Sequence, residues 1–268
     1  MTAIAVTIAG SDPSGGAGIQ ADLKTFGALG VHGASVITAL TAQNTRGVRA
    51  IHDVPPDFIT EQLDAVFADL HVNAVKVGML SQTTTIEAVA RGLDRHRAKN
   101  IVLDPVMVAT SGDRLLASNA IEALRTLLIP RALVVTPNLL EAAALLERPT
   151  SHSEAEMEEQ ARALLGLGAQ SVFLKGGHGD GPESVDLLVD ANSVTRFAEM
   201  RIATKNTHGS GCTLSSAIAA GLAKGLDLRT AVRDAKAYVT AAIASADALR
   251  IGSGHGPLHH FHALWRLP

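Results

Sequence analysis

The feature that most constrains the fold of this chain is an alternation of short apolar runs with longer helical stretches. Six of the apolar runs, which end at residues 9, 40, 77, 103, 135 and 174, are each followed by polar residues or glycines. Strands that are apolar on both faces are typical of a parallel sheet with helices on each side. The alternation therefore predicts an α/β fold, a three-layer α/β/α sandwich with a mostly parallel central sheet and antiparallel edge strands.

The predicted elements follow one another without a repeat or a linker. The predicted strands are residues 3–9, 33–40, 47–54, 74–77, 101–103, 133–135, 171–174, 185–189 and 194–197, the last two forming an edge hairpin. One predicted helix ends at residue 29, and another lies within 81–96. The other predicted helices are 57–70, 118–128, 139–146, 153–167, 214–224 and 227–246. Asp57 is a predicted N-cap, and the residues from Ser153 to Glu156 have capping-box spacing. We expect one domain over residues 1–268.

Composition excludes several classes of function. A net charge of −3 provides no basic field for nucleic acid or an anionic membrane, and one cysteine cannot form an internal disulfide. No apolar run approaches the ~18 residues that span a bilayer, and the N-terminus is a poor signal peptide. We therefore expect a cytoplasmic protein with small-molecule partners. In open α/β sheets such ligands bind at the carboxyl ends of the strands, where the polar clusters fall.

The stretch 204–214 joins a glycine-bearing turn to an alanine-rich helix. The first turn of a helix can hold an anion, and Gly209 and Gly211 lack the Cβ that would keep a backbone away from a phosphate. The only cysteine, Cys212, lies where the positive end of the helix is expected to lower its pKa. This pattern indicates a phosphoryl-transfer centre; the alternative is a tight turn followed by a small core cysteine.

Three further strand ends carry charged or amide groups. Asp104 follows one strand, and Asn138 and Glu141 follow the next, three residues apart on one helix face. Such oxygen ligands suit Mg²⁺, but the pair also fits an N-cap and a first-turn acid. Lys175, beside two glycines, can neutralise phosphate oxygens or be a solvated charge at a turn.

Two other motifs are weaker. Gly16-Ala17-Gly18 and Ala21 fit the dinucleotide fingerprint, but the first glycine does not close the strand and the expected acidic ribose ligand is absent. No P-loop pattern occurs. The histidine-rich stretch 255–262 looks like a metal site, but zinc sites often use cysteines, and this chain has only Cys212.

These motifs, taken in chain order, resemble bacterial hydroxymethylpyrimidine/phosphomethylpyrimidine kinases of the ribokinase-like superfamily. The resemblance begins with Ala9-Gly10-Ser11-Asp12-Pro13-Ser14-Gly15-Gly16-Ala17-Gly18 and covers nearly the whole chain. It continues through the stretches 42–45, 77–80, 104–107, 136–141, 175–178, 207–213 and 255–262. It implies two ATP-dependent phosphorylations in thiamine biosynthesis, first of the hydroxymethyl group and then of the monophosphate.

The resemblance also implies roles for individual residues. It implies that Asp22 and Gln43 hydrogen-bond the aminopyrimidine, in a pocket lined by Gly10, Met79 and Val106. The implied metal and phosphate ligands are Asp104 and Glu141 for Mg²⁺, and Asn138, Lys175, Thr204 and Asn206 for ATP. The implied catalytic groups are Lys175, the anion hole of Gly209, Ser210 and Gly211, and Cys212, which stands where many related sugar kinases have an aspartate base.

Some alternatives stay open at this level. A pyridoxine or pyridoxal kinase is the nearest rival, because its substrate is also a hydroxymethyl heteroaromatic ring. A pyrimidine-binding sensor is a second rival, although it would not need phosphate-transfer groups. We also expect a homodimer, and the need for a monovalent cation is left open.

Overall fold

A computed structural model describes residues 1–107, 115–117, 119–177 and 181–265. Within these ranges the chain forms a sheet of nine strands in the order β3-β2-β1-β4-β5-β6-β7-β8-β9. The strands are β1 Ile4–Ser11, β2 His32–Asn44, β3 Gly47–Asp53, β4 Ala74–Val77, β5 Ile101–Leu103, β6 Val134–Val135, β7 Ser171–Lys175, β8 Glu183–Asp190 and β9 Val194–Met200.

The six strands from β2 to β7 in spatial order are parallel, and the edges are antiparallel. Parallel ladders join β1 to β2 and β4, and continue through β5 and β6 to β7. Antiparallel ladders add β3 at one edge and the β8–β9 hairpin at the other. The predicted α/β architecture is confirmed. Chain order reverses around β1, and the carboxyl ends beside such a switch point are where ligands bind in open α/β sheets.

Helices cover both faces of the sheet. They are α1 Gly18–Ala28, α2 Pro56–Asp69, α3 Thr83–Arg95, α4 Ala120–Ala123, α5 Leu139–Leu146, α6 Glu154–Leu165, α7 Ser210–Ala223 and α8 Leu228–Ala244. One core contains apolar residues of α2 to α6, and the other contains those of α1, α7 and α8. Side chains of a strand alternate between these cores: Val75 and Val77 enter the first, and Ala74 enters the second. No helix in the described ranges is long and apolar enough to cross a membrane.

Three local predictions were wrong in detail. Pro55 is the N-cap of α2, and Asp57 lies inside the first turn, because Pro56 supplies a preset helical φ at the start. Ser153 caps α6, but Glu156 accepts from the backbone N–H of His152, so the capping box is incomplete. The helix predicted at 118–128 begins at Ala120 in the described residues and continues as a π-helical turn over Leu124–Leu128. Ser118 lies outside the described residues.

Candidate active site

The ends of β5 and β7 bring a carboxylate and an ammonium group together. Lys175 Nζ donates to Asp104 Oδ1 at 3.0 Å, and the two side chains are 12% and 2% exposed. Thr136 and Ser215 donate to the same carboxylate, each at 3.2 Å. Burial opposes ionisation of Asp104, but the positive charges of Lys175 and Lys76 hold its pKa below the usual value. Asp104 is therefore a fixed negative charge that orients Lys175.

The first turn of α7 lies beside this ion pair. An added Cβ at Gly211 would lie 3.2 Å from Lys175 Nζ and 3.8 Å from Asp104 Oδ2. The N-cap is Gly209, which has φ +82°, and a Cβ there would lie 1.9 Å from the carbonyl oxygen of Gly16. A side chain at Gly209 would therefore push apart two glycine loops, the one that contains Gly16 and the one that contains Gly209. Ser210 is the first residue of α7. The helix end, its N–H groups and an ammonium group thus face the same small region.

Asn138 and Glu141 form a complete capping box at α5. Asn138 Oδ1 accepts from the N–H of Glu141 at 2.9 Å, and Glu141 Oε2 accepts from the N–H of Asn138 at 2.8 Å. These are the hydrogen bonds expected if Asn138 is an N-cap and Glu141 a first-turn acid, which was the alternative to a pair of metal ligands. Burial raises the pKa of Glu141 to about 7, with Lys175 opposing the rise and Asp104 adding to it.

Two buried, mutually repelling carboxylates fit a hydrated Mg²⁺, which uses one or two carboxylates together with substrate phosphates. The described residues contain no group of three or more His, Cys, Asp or Glu that could hold a metal ion. This donor set suits a metal that arrives with a nucleotide better than a metal held by protein ligands alone.

The expected lowering of the Cys212 pKa was wrong. The thiol lies in the first turn of α7 and accepts from the N–H of Gly18, while part of the residue remains exposed. Burial among protein atoms nevertheless raises its pKa to about 11, against the opposing charge of Lys76. The positive end of the helix therefore does not make Cys212 a thiolate at neutral pH.

Asp22 does not reach the cleft as the resemblance implied. Its side chain is fully buried, and both carboxylate oxygens are bound by Lys76 Nζ, at 2.9 and 3.0 Å. Thr7 and Ser216 donate to it as well, each at 2.6 Å. A direct hydrogen bond from Asp22 to a substrate is thus corrected to a buried structural role. Lys76 was missed at the sequence level, although a lysine in a strand predicted to be fully buried is a visible signal.

Three predicted pocket residues lie at or just after the ends of β1, β4 and β5. A Cβ at Gly10 would lie 3.0 Å from Met79 Sδ, so the two residues are in contact. Thr38 fixes the Met79 carbonyl oxygen with a 2.9 Å hydrogen bond. Val106, half-buried, follows Asp104 in a tight turn closed by an N–H to carbonyl bond of 2.8 Å.

Gln43 lies at the far end of β2, where its side chain is half-buried. Its Oε1 is 3.1 Å from Thr41 Oγ1, and its Nε2 is 3.5 Å from His208 Nε2. The same ring nitrogen of His208 lies 2.9 Å from Asp12 Oδ2. Asp12 also accepts from the N–H groups of Gly16 and Ala17, so it holds the first glycine loop against the residue before Gly209. Neither Asp12 nor His208 had a role predicted from the sequence.

Thr204 and Asn206 share a partner in the turn that follows α8. Both side chains donate to Asp247, Asn206 at 2.7 Å. Asn206 Oδ1 also accepts from the N–H of Gly256 at 3.1 Å. The structure thus places both predicted phosphate ligands in the loop before α7, where their half-buried side chains are hydrogen-bonded to other protein groups. His178 and Gly179, part of the quoted lysine motif, lie outside the described residues.

The histidine-rich stretch packs against this loop and against α7. The N–H of His208 donates to Gly256 at 3.1 Å, and that of His255 donates to Thr45 at 2.9 Å. His260 lies 3.0 Å from Thr213 Oγ1, and burial lowers its pKa to about 4. These contacts give the stretch a structural role.

The sequence profile of the phosphomethylpyrimidine kinase family matches residues 12–259. A hydroxymethylpyrimidine/phosphomethylpyrimidine kinase of Rhizobium meliloti (strain 1021) is 60% identical over 266 residues, which are 99% of this chain and 100% of the relative. The enzyme of the same name from Escherichia coli (strain K12) is 53% identical, over 97% of this chain and 98% of its own.

Solved structures agree with the architecture. The pyridoxal kinase of Bacillus subtilis in an ADP complex superposes with a TM-score of 0.91 at 37% identity, over 98% of this chain and 99% of the other. The phosphomethylpyrimidine kinase of Clostridium difficile 630 gives 0.80 at 45% identity, over 90% of this chain and 99% of the other.

Proposed function

The chain belongs to the phosphomethylpyrimidine kinase family, and on that premise we propose how the residues at the carboxyl edge of its sheet perform the reaction. It is an ATP-dependent kinase with the ribokinase-like α/β fold. Its activity is phosphorylation of hydroxymethylpyrimidine and then of the resulting monophosphate in thiamine biosynthesis. One cleft must therefore serve two nucleophiles, an alcohol and a phosphate monoester.

The observation that carries the proposal is the meeting of Lys175, Asp104 and Gly211. Phosphoryl transfer requires positioning and stabilisation of the charge on the transferring group more than covalent help from the protein. Lys175, oriented by Asp104, lies beside the first turn of α7, and both can act on the same phosphate oxygens. Gly209, Ser210 and Gly211 supply the backbone of this anion hole.

The metal and the nucleotide belong beside Lys175, at Asp104 and Glu141. Asp104 and Glu141 would hold Mg²⁺, directly or through water, and Asn138 would orient Glu141 through the capping box. When bound, the ion would neutralise charge on the ATP phosphates. Thr204 and Asn206 would contribute through the loop that they and Asp247 fix, rather than through free side chains.

Gln43, Gly10, Met79 and Val106 form the proposed pyrimidine end. An amide can pair with the ring nitrogen and the amino group of an aminopyrimidine, in the way that amides pair with adenine. Gln43 is held between Thr41 and His208, so its amide is presented in a limited set of orientations. Replacing Gln43 by Leu should abolish use of hydroxymethylpyrimidine while ATP binding survives, because the ring's polar groups would lose their partner.

Cys212 is the proposed proton acceptor for the first step alone. An alcohol must lose a proton as it is phosphorylated, whereas a phosphate monoester, with a second pKa of about 6, is already largely ionised at neutral pH. Because its pKa is raised to about 11, Cys212 must first lose its own proton. That requirement limits the rate gain that this residue can provide.

The test is an ATP-consumption assay with hydroxymethylpyrimidine, its monophosphate and pyridoxal. Turnover of the first two, with the hydroxymethyl compound converted through the monophosphate to the diphosphate, is the expected result. Pyridoxal is included because pyridoxal kinases share the fold closely. Turnover of pyridoxal alone would contradict the proposed assignment of the pocket residues.

We also propose that residues 1–268 act as one kinase domain, because one nine-stranded sheet connects the described ranges. The homodimer, the cytoplasmic location and the need for a monovalent cation stay predictions.

A further inference from the structure

The interior beneath the first turn of α7 contains an ion pair that the reaction as described does not use. Lys76 extends from β4 and Asp22 from α1, and their side chains are 0% exposed. Lys76 Nζ donates to both oxygens of Asp22, at 2.9 and 3.0 Å. An added Cβ at Gly78 would lie 2.6 Å from Lys76 Nζ, so the path of this side chain depends on a glycine. Burying two charges is costly, and such a pair needs good geometry and further hydrogen bonds to persist.

The further hydrogen bonds tie the pair to α7. Thr7 of β1 and Ser216 of α7 both donate to Asp22 at 2.6 Å. Asp22 thus links two strands and two helices. Ser216 follows Cys212 by four residues, so it lies one helical turn further along the same face. The pair therefore fixes the part of α7 that carries the thiol.

Charged groups from four elements act on the thiol. They are Lys76 of β4, Asp22 of α1, Asp104 after β5 and Lys175 of β7. Lys76 favours the thiolate, and Asp22 and Asp104 oppose it; among the charges, Lys76 has the largest effect. The N–H of Gly18 adds a hydrogen bond that also favours the thiolate.

We propose that the Lys76–Asp22 pair is a positioning device for Cys212: it anchors the first turns of α7 from below and places a positive charge behind the sulfur atom. This inference rests on the proposed role of Cys212 in the first phosphorylation. The pair acts through Cys212 and α7 and contacts no substrate. Loss of the pair should therefore slow the first phosphorylation, which uses the Cys212 thiol, more than the second.

The test uses the fact that Cys212 is the only cysteine in the chain, so alkylation by iodoacetamide reports this thiol alone. Alkylation rates are measured against pH for the native protein, Lys76→Met and Asp22→Asn. Lys76→Met should slow alkylation about tenfold at a fixed pH below the thiol pKa, the effect of one pKa unit on the thiolate fraction. Asp22→Asn should accelerate it, because the opposing charge is lost while Lys76 remains.

Opposite shifts support the proposal, since a pair that only maintains packing would loosen the site in both variants and shift both profiles the same way. Shifts in the same direction, or none, overturn it. If the single variants do not fold, the double variant Lys76→Met/Asp22→Asn leaves no unpaired buried charge and should still be alkylated more slowly. A folded double variant with the native profile would refute the proposal.

Lys236 and Asp186 provide a matched control. They form a second buried pair, at 2.7 Å, between α8 and β8. The variant Lys236→Met/Asp186→Asn removes a comparable pair and should keep the native alkylation profile. Rates of both phosphorylations are measured in parallel, and the Lys76 and Asp22 variants should change the first step more than the second. If Cys212→Ser leaves the first step unchanged, the base role fails, while the alkylation profiles still decide whether the pair acts on the thiol.

Discussion

The N-termini of α7 and α8, two helices consecutive in the chain, are built differently. Asp227 caps α8: its Oδ1 accepts from the N–H of Thr230 at 3.0 Å, and its Oδ2 accepts from the hydroxyl of the same residue at 2.7 Å. The N-cap of α7 is Gly209, which has no side chain to offer. The side chain of Asp227 thus pairs with a backbone N–H of the first turn of α8. No side chain caps the first turn of α7, which lies beside Lys175. The difference separates a helix end that stabilises the protein from one kept for an anion.

The largest expected effect on the reaction rates comes from a change beside the uncapped N-terminus of α7. Lys175→Met should slow both phosphorylations by about 10²–10³-fold, the usual cost of removing one donor that stabilises a transition state. Both steps pass a phosphoryl group along the same charged region, so both should fall together. Rates from single-turnover assays on the two substrates would check this. Slowing of one step alone would assign Lys175 to a substrate instead.

Cys212→Ser should affect the two steps unequally. We expect the first phosphorylation to slow by about 10²-fold, the low end of the range for loss of a general base, because the raised pKa of Cys212 leaves little thiolate. The second should change far less, since its nucleophile is already ionised. The backbone of the first turn is retained in this variant. Equal losses in both steps would show that Cys212 shapes the anion hole and takes no proton.

Gly209→Ala tests whether the position of the N-terminus of α7 depends on the close approach of Gly209 to Gly16. Alanine at φ +82°, with its Cβ 1.9 Å from the carbonyl oxygen of Gly16, should destabilise the protein by roughly 2 kcal/mol or more. We also expect both phosphorylations to slow in the variant that remains folded, because the first turn of α7 must move. Denaturant unfolding measures the change in stability, and steady-state assays measure the rates of both phosphorylations. Full activity would mean that the anion hole tolerates this displacement.

Asp227→Ala is the matched change at the capped N-terminus of α8, and its effect should be the smallest. Loss of one N-cap should lower the melting temperature by about 2–4 °C. The rates of both phosphorylations should stay native, because α8 begins away from the cleft residues. A clear loss of activity would contradict the distinction between the two helix ends.

Much of the fold could be predicted because its signals are local. The bounds of β4, β5 and α5 follow directly from runs such as Ala74–Val77. The predicted end of β2 at residue 40 falls short of Asn44, because the extension is stabilised by antiparallel pairing with β3 and not by burial. Local apolar pattern therefore locates buried strands better than exposed ones.

The site was predictable where a motif sits at a strand end, and less so where its properties depend on distant contacts. Lys175 and Asp104 are brought together across 71 residues, as the parallel sheet requires. Asp12 and His208 meet across 196 residues, and no spacing in the sequence indicates that contact. The pKa of Cys212 was also not predictable from local pattern, since burial raises it and the charges that act on it, on Lys76, Asp22 and Asp104, are far away in the sequence.

The contacts of residues 254–257 have a consequence for the order in which the enzyme is completed during synthesis. A Cβ at Gly254 would lie 2.0 Å from the carbonyl oxygen of Thr45, one at Gly256 would lie 2.3 Å from Asn206 Oδ1, and Pro257 pairs with His208. These residues leave the ribosome after β1 to β9 and α1 to α8. A nascent chain can thus assemble its sheet and both helical layers before the loops around Thr45 and His208 are tied down. We therefore expect a chain interrupted after α8 to lack the contacts that hold the loops around Thr45 and His208.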